Sequence, residues 1–343
     1  MKKIIVVVMV MLILLMSLCG CERKNEDGFR TVTDMSGNEV RVCQTVDKYA
    51  VAWAGVMDIA LMLDDAENIV AYPEKSNAFK MIFNVYPEID EAICLPNEGI
   101  STEMILNSGA QVVFMKNTDD PNLVEQLKSC NIPVIDCGFD DYEGLKRVVT
   151  LIADVIGTDA ASEEAEVFCT YLDDNVRDVE NLVSEIPDKK KEDVIVLKDS
   201  IDYSAYGASR YTGKWVEMCG GKYIMQNEDS YANVNLTKEQ LLEYNPDIIF
   251  FAMPNQAQNF LEQETWKNMN AVKNHKVYNN PCGFNTWSNC GAESALQFKW
   301  AISIMYPELL DENFELDMKD FYQQFYEYSL SDDEIQRMLK GNY

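Results

Sequence analysis

Residues 237–250 read TKEQLLEYNPDIIF, and residues 101–114 read STEMILNSGAQVVF, a fainter copy of the same unit. Aligned without gaps, Ser101 falls against Thr237, Glu103 against Glu239, Ile105-Leu106 against Leu241-Leu242, and Val112-Val113-Phe114 against Ile248-Ile249-Phe250. Each copy predicts a capped helix start, a short helix, a turn and a buried strand. A hydroxyl just ahead of a helix accepts from a first-turn N–H that has no partner within the helix. Thr237 with Gln240 makes a capping box, and Ser101 caps in the same way although Met104 offers no reciprocal acceptor. Both glutamates therefore fall at the second helical position. Two like-built units far apart in the chain predict two similar lobes, each presenting a carboxylate at a helix start.

Outward from these units, strand and helix alternate. Residues 29–42 predict a hairpin turning at Ser36-Gly37-Asn38. Strands are expected at 49–53, 69–72 and 134–137, and helices at 56–63 and 142–156. Short links between such elements argue for a mostly parallel sheet covered on both faces. Ala161, Ala165, Phe168, Leu172, Val176, Val179, Leu182 and Ile186 then keep spacings of three and four. Acidic residues Asp159, Glu163, Glu164 and Glu166 crowd the start of that segment, where a helix dipole favours them. At about 1.5 Å per residue the helix runs roughly 40 Å, enough to cross from one lobe to the other, before Pro187 ends it. The second lobe predicts strands at 194–197 and 276–278 and helices at 215–219, 260–269 and 293–305. Phe321, Tyr322, Phe325 and Tyr326 form an aromatic stripe assigned to the core, and Ser331 with Glu334 repeats the capping box. The expected class is α/β: two similar lobes with mostly parallel sheets, residues 29–158 and 188–343, joined by a single long helix at 159–187.

At 343 residues, 47% apolar and 25% charged, the chain has material for a real core and about two domains. Lys2-Lys3, an apolar run over 4–18 and Leu18-Cys19-Gly20-Cys21 have the pattern of a bacterial lipoprotein signal. It predicts a signal peptide at 1–20, lipid on Cys21, a polar tether at 21–28, and a place outside the cytoplasm on the cell membrane. A true span needs about 20 apolar residues, and this run is shorter. The formal charge of −28 disfavours nucleic acid and anionic membrane surface as partners. Of ten cysteines, two belong to the signal. Cys282 with Cys290 and Cys130 with Cys137 are candidate disulfides in an exported chain; the alternative is buried free thiols.

Catalysis has little to stand on. His275 is the single histidine and sits in a turn before a strand, and neither G-x-x-x-x-G-K nor G-x-G-x-x-G occurs. No cluster of His, Cys and carboxylate has metal-ligand spacing. The expectation is no catalytic residue, no protein-bound metal and no intrinsic cofactor.

The signal pattern, the stretch TDMSGNEVRV at 33–42, the two E-x-(I/L)-L units, the long helix and WKNMNAVKNHKVYNNPCGFNTWSNCGAESALQFKWAISIMYPELL at 266–310 together point to a family. They resemble the ABC-transporter substrate-binding lipoproteins that capture iron-siderophores, cobalamin or haem. The resemblance implies a monomer of two α/β lobes on one stiff helix, with the ligand, a ferric siderophore or other metal chelate, held between them. It also implies docking of one glutamate per lobe into arginine pockets of a permease dimer, and motif position makes these Glu103 and Glu239. Other readings of the scaffold are an oxyanion or a free cofactor as ligand, or a surface enzyme or adhesion protein. In open α/β lobes ligands meet the loops at the carboxyl ends of strands. On those loops Trp53, Lys75, Lys116, Tyr203, Arg210, Tyr211 and Trp287 are the candidate contacts, with Asn97, Asn117, Lys198, Tyr206, Met253 and Asn285 beside them. Aromatic rings suit apolar ligand faces, and cations suit carboxylates or catecholates; core burial of Trp53 and simple solvation of the lysines are the alternatives.

Overall fold

Short runs of Val, Ile and aromatic residues flanked by turns make thirteen strands among the described residues, most of them buried on both faces. The structure is a computed structural model and describes residues 28–74, 80–116, 118, 120–208, 211–225, 233–310 and 313–341. The signal peptide, residues 21–27 of the tether with Cys21, and Lys75, Asn117 and Arg210 lie outside the described residues.

Strands β1 (Phe29–Thr33) and β2 (Glu39–Cys43) form an antiparallel hairpin. The first lobe is built on β3 (Tyr49–Val51), β4 (Ile69–Pro73), β5 (Ile93–Leu95), β6 (Val112–Met115) and β7 (Val134–Asp136), all parallel in the order β5-β4-β3-β6-β7. The second lobe uses β8 (Asp193–Leu197), β9 (Ser204–Tyr206), β10 (Lys222–Tyr223), β11 (Asn233–Asn235), β12 (Ile248–Phe251) and β13 (Val277–Asn279). Its order is β11-β9-β8-β12-β13, with β10 also on β8; β8, β10, β12 and β13 are parallel, whereas β9 is antiparallel to both of its neighbours, β8 and β11.

The repeated unit survives down to single hydrogen bonds. Both copies place their strand beside the first strand of their lobe, β6 on β3 and β12 on β8. Gln111 N donates to Lys48 O and Asp247 N to Asp193 O, each at 2.8 Å. In return the Gln111 side chain accepts from Lys48 N and the Asp247 side chain from Asp193 N, each at 3.1 Å. Helices Thr102–Ser108 and Lys238–Tyr244 precede these strands, capped by Ser101 and by the full Thr237–Gln240 box. Both end on a left-handed residue at the same aligned position, Gly109 and Asn245.

The long helix spans Asp159–Ser184, with the Thr158 side chain accepting from Ala161 N. It packs on helices Met57–Leu63 and Tyr142–Ile156 of the first lobe and Tyr211–Met218 and Gln297–Met305 of the second. One apolar core runs unbroken through both lobes along it. The aromatic stripe on helix Phe314–Tyr326 lies in that core, with Phe325 edge-on to Phe168 and Tyr171.

Two expected helices break up. Residues 260–269 are divided among helix Ala257–Leu261, a 3-10 turn Glu264–Trp266 and helix Asn270–Lys273. Phe260 stacks on Trp266 at 4.9 Å; six residues at about 100° each point to different faces of a continuous helix, so the stack requires the chain to turn. Residues 293–305 begin as a 3-10 segment, Ala292–Leu296, before helix Gln297–Met305. All eight described cysteines are free thiols, Cys94 and Cys130 exposed and Cys137, Cys219 and Cys282 buried. Neither candidate disulfide is formed.

Candidate functional site

Parallel strands in both lobes end toward a common crevice. After β3 the chain delivers Trp53, after β6 Lys116, and after β7 Phe139 and Asp140. From the second lobe come Tyr206 at the end of β9, Tyr211 and Thr212 at a helix start, and Asn285, Ser288, Asn289 and Cys290 from the loop after β13. These residues enclose about 250 Å³. A second crevice of about 360 Å³, lined by Pro73, Asn97, Gly99 and Ile100 of the first lobe, shares Trp53 and Lys116 with it.

The Trp53 ring is fixed on two sides. It meets Phe139 edge-on at 5.6 Å, and it covers Gly55 so closely that a Cβ there would stand 2.5 Å from the indole. A side chain at 55 would therefore push the indole out of this position. Lys116 Nζ lies 5.9 Å from the Trp53 ring centroid, a cation over an aromatic face. It makes no ion pair with a described residue.

Interlobe bonds close the deep end. Tyr142 donates to Tyr211 Oη at 2.6 Å, and burial pushes both phenols well above their ordinary range, so both stay neutral. Asp141, which caps helix Tyr142–Ile156 through Gly144 N, also meets Lys214 Nζ at 3.4 Å. Cys290 Sγ donates to Asp141 O at 3.8 Å; burial and the nearby Asp141 and Asp58 raise its thiol far above the usual value, leaving it protonated. On the loop itself Thr286 and Ser288 hydroxyls both donate to Ala252 O, at 2.7 and 3.1 Å. Asn285 Oδ1 accepts from Thr286 N and Asn289 Nδ2. The result is a small hollow with one ammonium, the Asp140 carboxylate, several hydroxyl and amide groups and one aromatic wall. Among the described residues no group of three or more His, Cys, Asp or Glu is placed to hold a metal ion.

Of the candidate contacts taken from sequence, Trp53, Lys116 and Tyr211 meet in the crevice. Two others lie elsewhere. Trp287 is wholly buried, 0% exposed, and packs on Phe314: its loop turns inward, so the indole fills the core. Tyr203 is buried against Trp266 and donates to Gln263 Oε1 at 3.0 Å, which leaves its hydroxyl engaged inside its own lobe. Phe139, Asp140, Thr212, Ser288, Asn289 and Cys290 were missed. The rule of strand carboxyl ends points to Phe139-Asp140 after β7, but the choice of aromatic and cationic residues favoured other loops. Nothing in the pattern separated Ser288 and Asn289 from their neighbour Trp287.

Glu103 and Glu239 are both exposed in the first turns of their helices. Neither pairs with a described cation. One turn on, Leu106 and Leu242 stand 50% and 41% exposed, at aligned positions, while their neighbours Ile105 and Leu241 are buried. Each lobe thus shows the same acidic and apolar pair. Single His275 is exposed in a left-handed turn.

A family model described as periplasmic binding protein matches residues 50–281. The molybdate-binding protein MolA of Haemophilus influenzae is 25% identical over 343 aligned positions, covering 90% of this chain and 94% of MolA. High-affinity heme uptake system protein IsdE of Staphylococcus aureus is also 25% identical, over 65% of this chain and 77% of its own. Among solved structures, a periplasmic solute binding protein from Veillonella parvula superposes with a TM-score of 0.79 at 23% identity, over 92% of this chain and 98% of that one.

Proposed function

Because the chain belongs to the periplasmic binding protein family, the extracytoplasmic solute-binding components of ABC transporters, we propose that its interlobe crevice takes a compact, oxygen-rich anion and presents it to a membrane permease. The observation that carries this reading is the crevice itself. Its 250 Å³ lies below the roughly 300–1,000 Å³ of pockets for drug-sized ligands, and its wall offers the Lys116 ammonium with the Thr212 hydroxyl and the Asn285 amide. A charged hydrogen bond from lysine plus neutral donors suits the oxygens of an anion. MolA, which aligns over most of the chain, carries molybdate in its name. The overall negative charge opposes an approaching anion, but salt screens that field beyond about 8 Å.

A second reading is a metal chelate: a ferric siderophore, cobalamin or haem. The shared Trp53 and Lys116 favour it, since the two adjoining crevices together present an aromatic face beside a cation to a larger ligand. IsdE carries heme in its name. In either case the chain is a monomeric carrier that performs no reaction, held at the membrane by lipid on Cys21. It docks through Glu103 with Leu106 and Glu239 with Leu242, carboxylates for cations of the permease and leucines for apolar contact.

Calorimetric titration of protein beginning at Asp27 against molybdate, sulfate, a ferric hydroxamate, cobalamin and haem decides between the readings, with tryptophan emission followed in parallel. One-to-one binding of an oxyanion with quenched emission is expected. Binding of a chelate and of no oxyanion replaces the first reading by the second, and silence across the panel sinks both.

A further inference from the structure

Two carboxylates at the lobe junction are more deeply buried than any group lining the crevice rim. Asp58, in helix Met57–Leu63 of the first lobe, and Glu293, in the 3-10 segment of the second, are each 1% exposed. Burying a charged carboxylate is costly unless hydrogen bonds or a cation compensate. Here only hydrogen bonds do so. Asp58 Oδ2 accepts from Ala292 N across the lobes at 2.7 Å, and Asp58 Oδ1 accepts from Ile59 N at 3.0 Å. Glu293 accepts from Phe284 N at 2.9 Å and from Asn285 N at 2.7 Å, the start of the loop that lines the crevice.

The surroundings are cut to fit these acids. A Cβ on Gly291 would stand 2.5 Å from Asp58 Oδ2, and one on Gly283 would collide with Glu293 Oε1 and Tyr322 Oη. Phe284 is boxed by Tyr86 of the first lobe and by Tyr322 and Tyr326. The titratable groups facing the pair are Tyr322, Tyr326, Tyr86, Cys282 and Cys290; burial raises Tyr326, Tyr86, Cys282 and Cys290 above their ordinary ranges and keeps them neutral. No described cation faces either acid.

We propose that Asp58 and Glu293 are positioning residues that hold the crevice loop against the opposite lobe and make lobe closure depend on protons. Neither touches the crevice; they act through Ala292, Phe284 and Asn285. Their purpose as affinity control rests on the crevice being the solute site, but the junction itself does not. Parting the lobes returns Asp58 to water. In the closed state burial raises its carboxyl to about 6, above the ordinary value of about 3.9. The closed state therefore binds a proton more tightly than the open one, and rising pH favours opening through that window. Glu293 is pushed well above the carboxylate range by burial and, further, by the Asp58 charge, so the two acids titrate as one coupled pair.

Hydrogen exchange of the loop amides tests this without any ligand, so its failure is distinct from failure of the solute assignment. In the lipid-free mature chain, protection of the Phe284, Asn285 and Ala292 amides, corrected for intrinsic rates, is expected to fall about tenfold between about pH 5 and pH 7. Strand β12 should not change. Asp58→Asn and Glu293→Gln should each flatten the profile, and the double variant should abolish it. A merely structural pair would lower protection at every pH and leave the slope. A flat profile in the wild-type chain, which needs no variant to fold, overturns the proposal, as does a wild-type slope retained in both single variants.

Discussion

The two copies of the helix–strand unit share their paired backbone and side-chain hydrogen bonds, yet the residues just beyond their strands take different tasks. After β6 the chain turns Lys116 into the crevice beside Trp53. After β12 it offers Ala252 O, which accepts from Thr286 and Ser288 and thereby pins the opposite wall. One copy places a cation in the crevice and the other supplies the frame that holds the facing loop. A repeated scaffold thus fixes where the strand ends point, while the one or two residues beyond them decide what those ends do.

Before those strand ends the copies remain alike, and the sharpest way to break the comparison is there. Charge reversal of Glu103 and Glu239 together to Arg should abolish solute uptake by cells while leaving solute affinity in solution unchanged. Each single reversal should lower uptake, since in the proposed docking each lobe meets its own half of the permease. Uptake that survives the double reversal removes the docking role from both copies. At the strand ends the expectation is asymmetric: Lys116→Met should weaken oxyanion binding at least tenfold, since a hydrogen bond to a charged group contributes about 1.5–3 kcal/mol. Ala252→Ser should leave calorimetric affinity within about twofold, because the backbone oxygen at that position, not its side chain, makes the contacts.

Much of this asymmetry was legible only at the level of elements. Period and capping placed helix Tyr142–Ile156 to the residue and the Thr237 box to the atom, because the signals are local: a Thr three residues before a Gln, and leucine and valine on one face. The long helix was readable for the same reason. Helix 260–269 was not, because its apolar spacing mimics a helix while the Phe260–Trp266 stack, a contact between faces, overrides it. Within the site, Lys116 and Trp53 were visible as a cation and a ring after predicted strands. Trp287 misled, since a Trp in a polar Asn/Ser loop reads as exposed until the fold turns it inward. Asp58 and Glu293 carried no signal at all: in a chain with 57 acidic residues, burial rather than residue type marks them out.

The turns after the two helices allow a finer comparison. Gly109 and Asn245 occupy the same left-handed cap, at φ 75° and φ 42°. Gly109→Ala should cost about 1 kcal/mol, the strain of a Cβ in that region less the gain from a stiffer unfolded chain. Asn245→Ala should cost more, about 1–2 kcal/mol, since its Oδ1 also accepts from Asn270 N at 2.9 Å. Denaturant unfolding of the second variant as stable as the first would mean that the Asn270 contact contributes nothing.

The smallest difference lies at the helix starts. Thr237 Oγ1 accepts from Gln240 N at 3.2 Å, and Thr237 N donates to Gln240 Oε1 at 2.8 Å. Ser101 only accepts, from Met104 N at 3.2 Å. Loss of a capping hydroxyl costs about 0.5–2 kcal/mol, and both sites are open to water, which replaces much of what is lost. Thr237→Ala keeps the N–H that donates to Gln240 Oε1 but removes the hydroxyl that accepts from Gln240 N; where the two bonds hold each other in place, it should destabilise by a few tenths of a kcal/mol more than Ser101→Ala. Met104→Gln should narrow that gap from the other side by giving the first copy the arm it lacks. If it raises the unfolding midpoint only when Ser101 is present, the two bonds of the box are coupled. Equal gains with and without Ser101 would instead assign the effect to helix propensity alone.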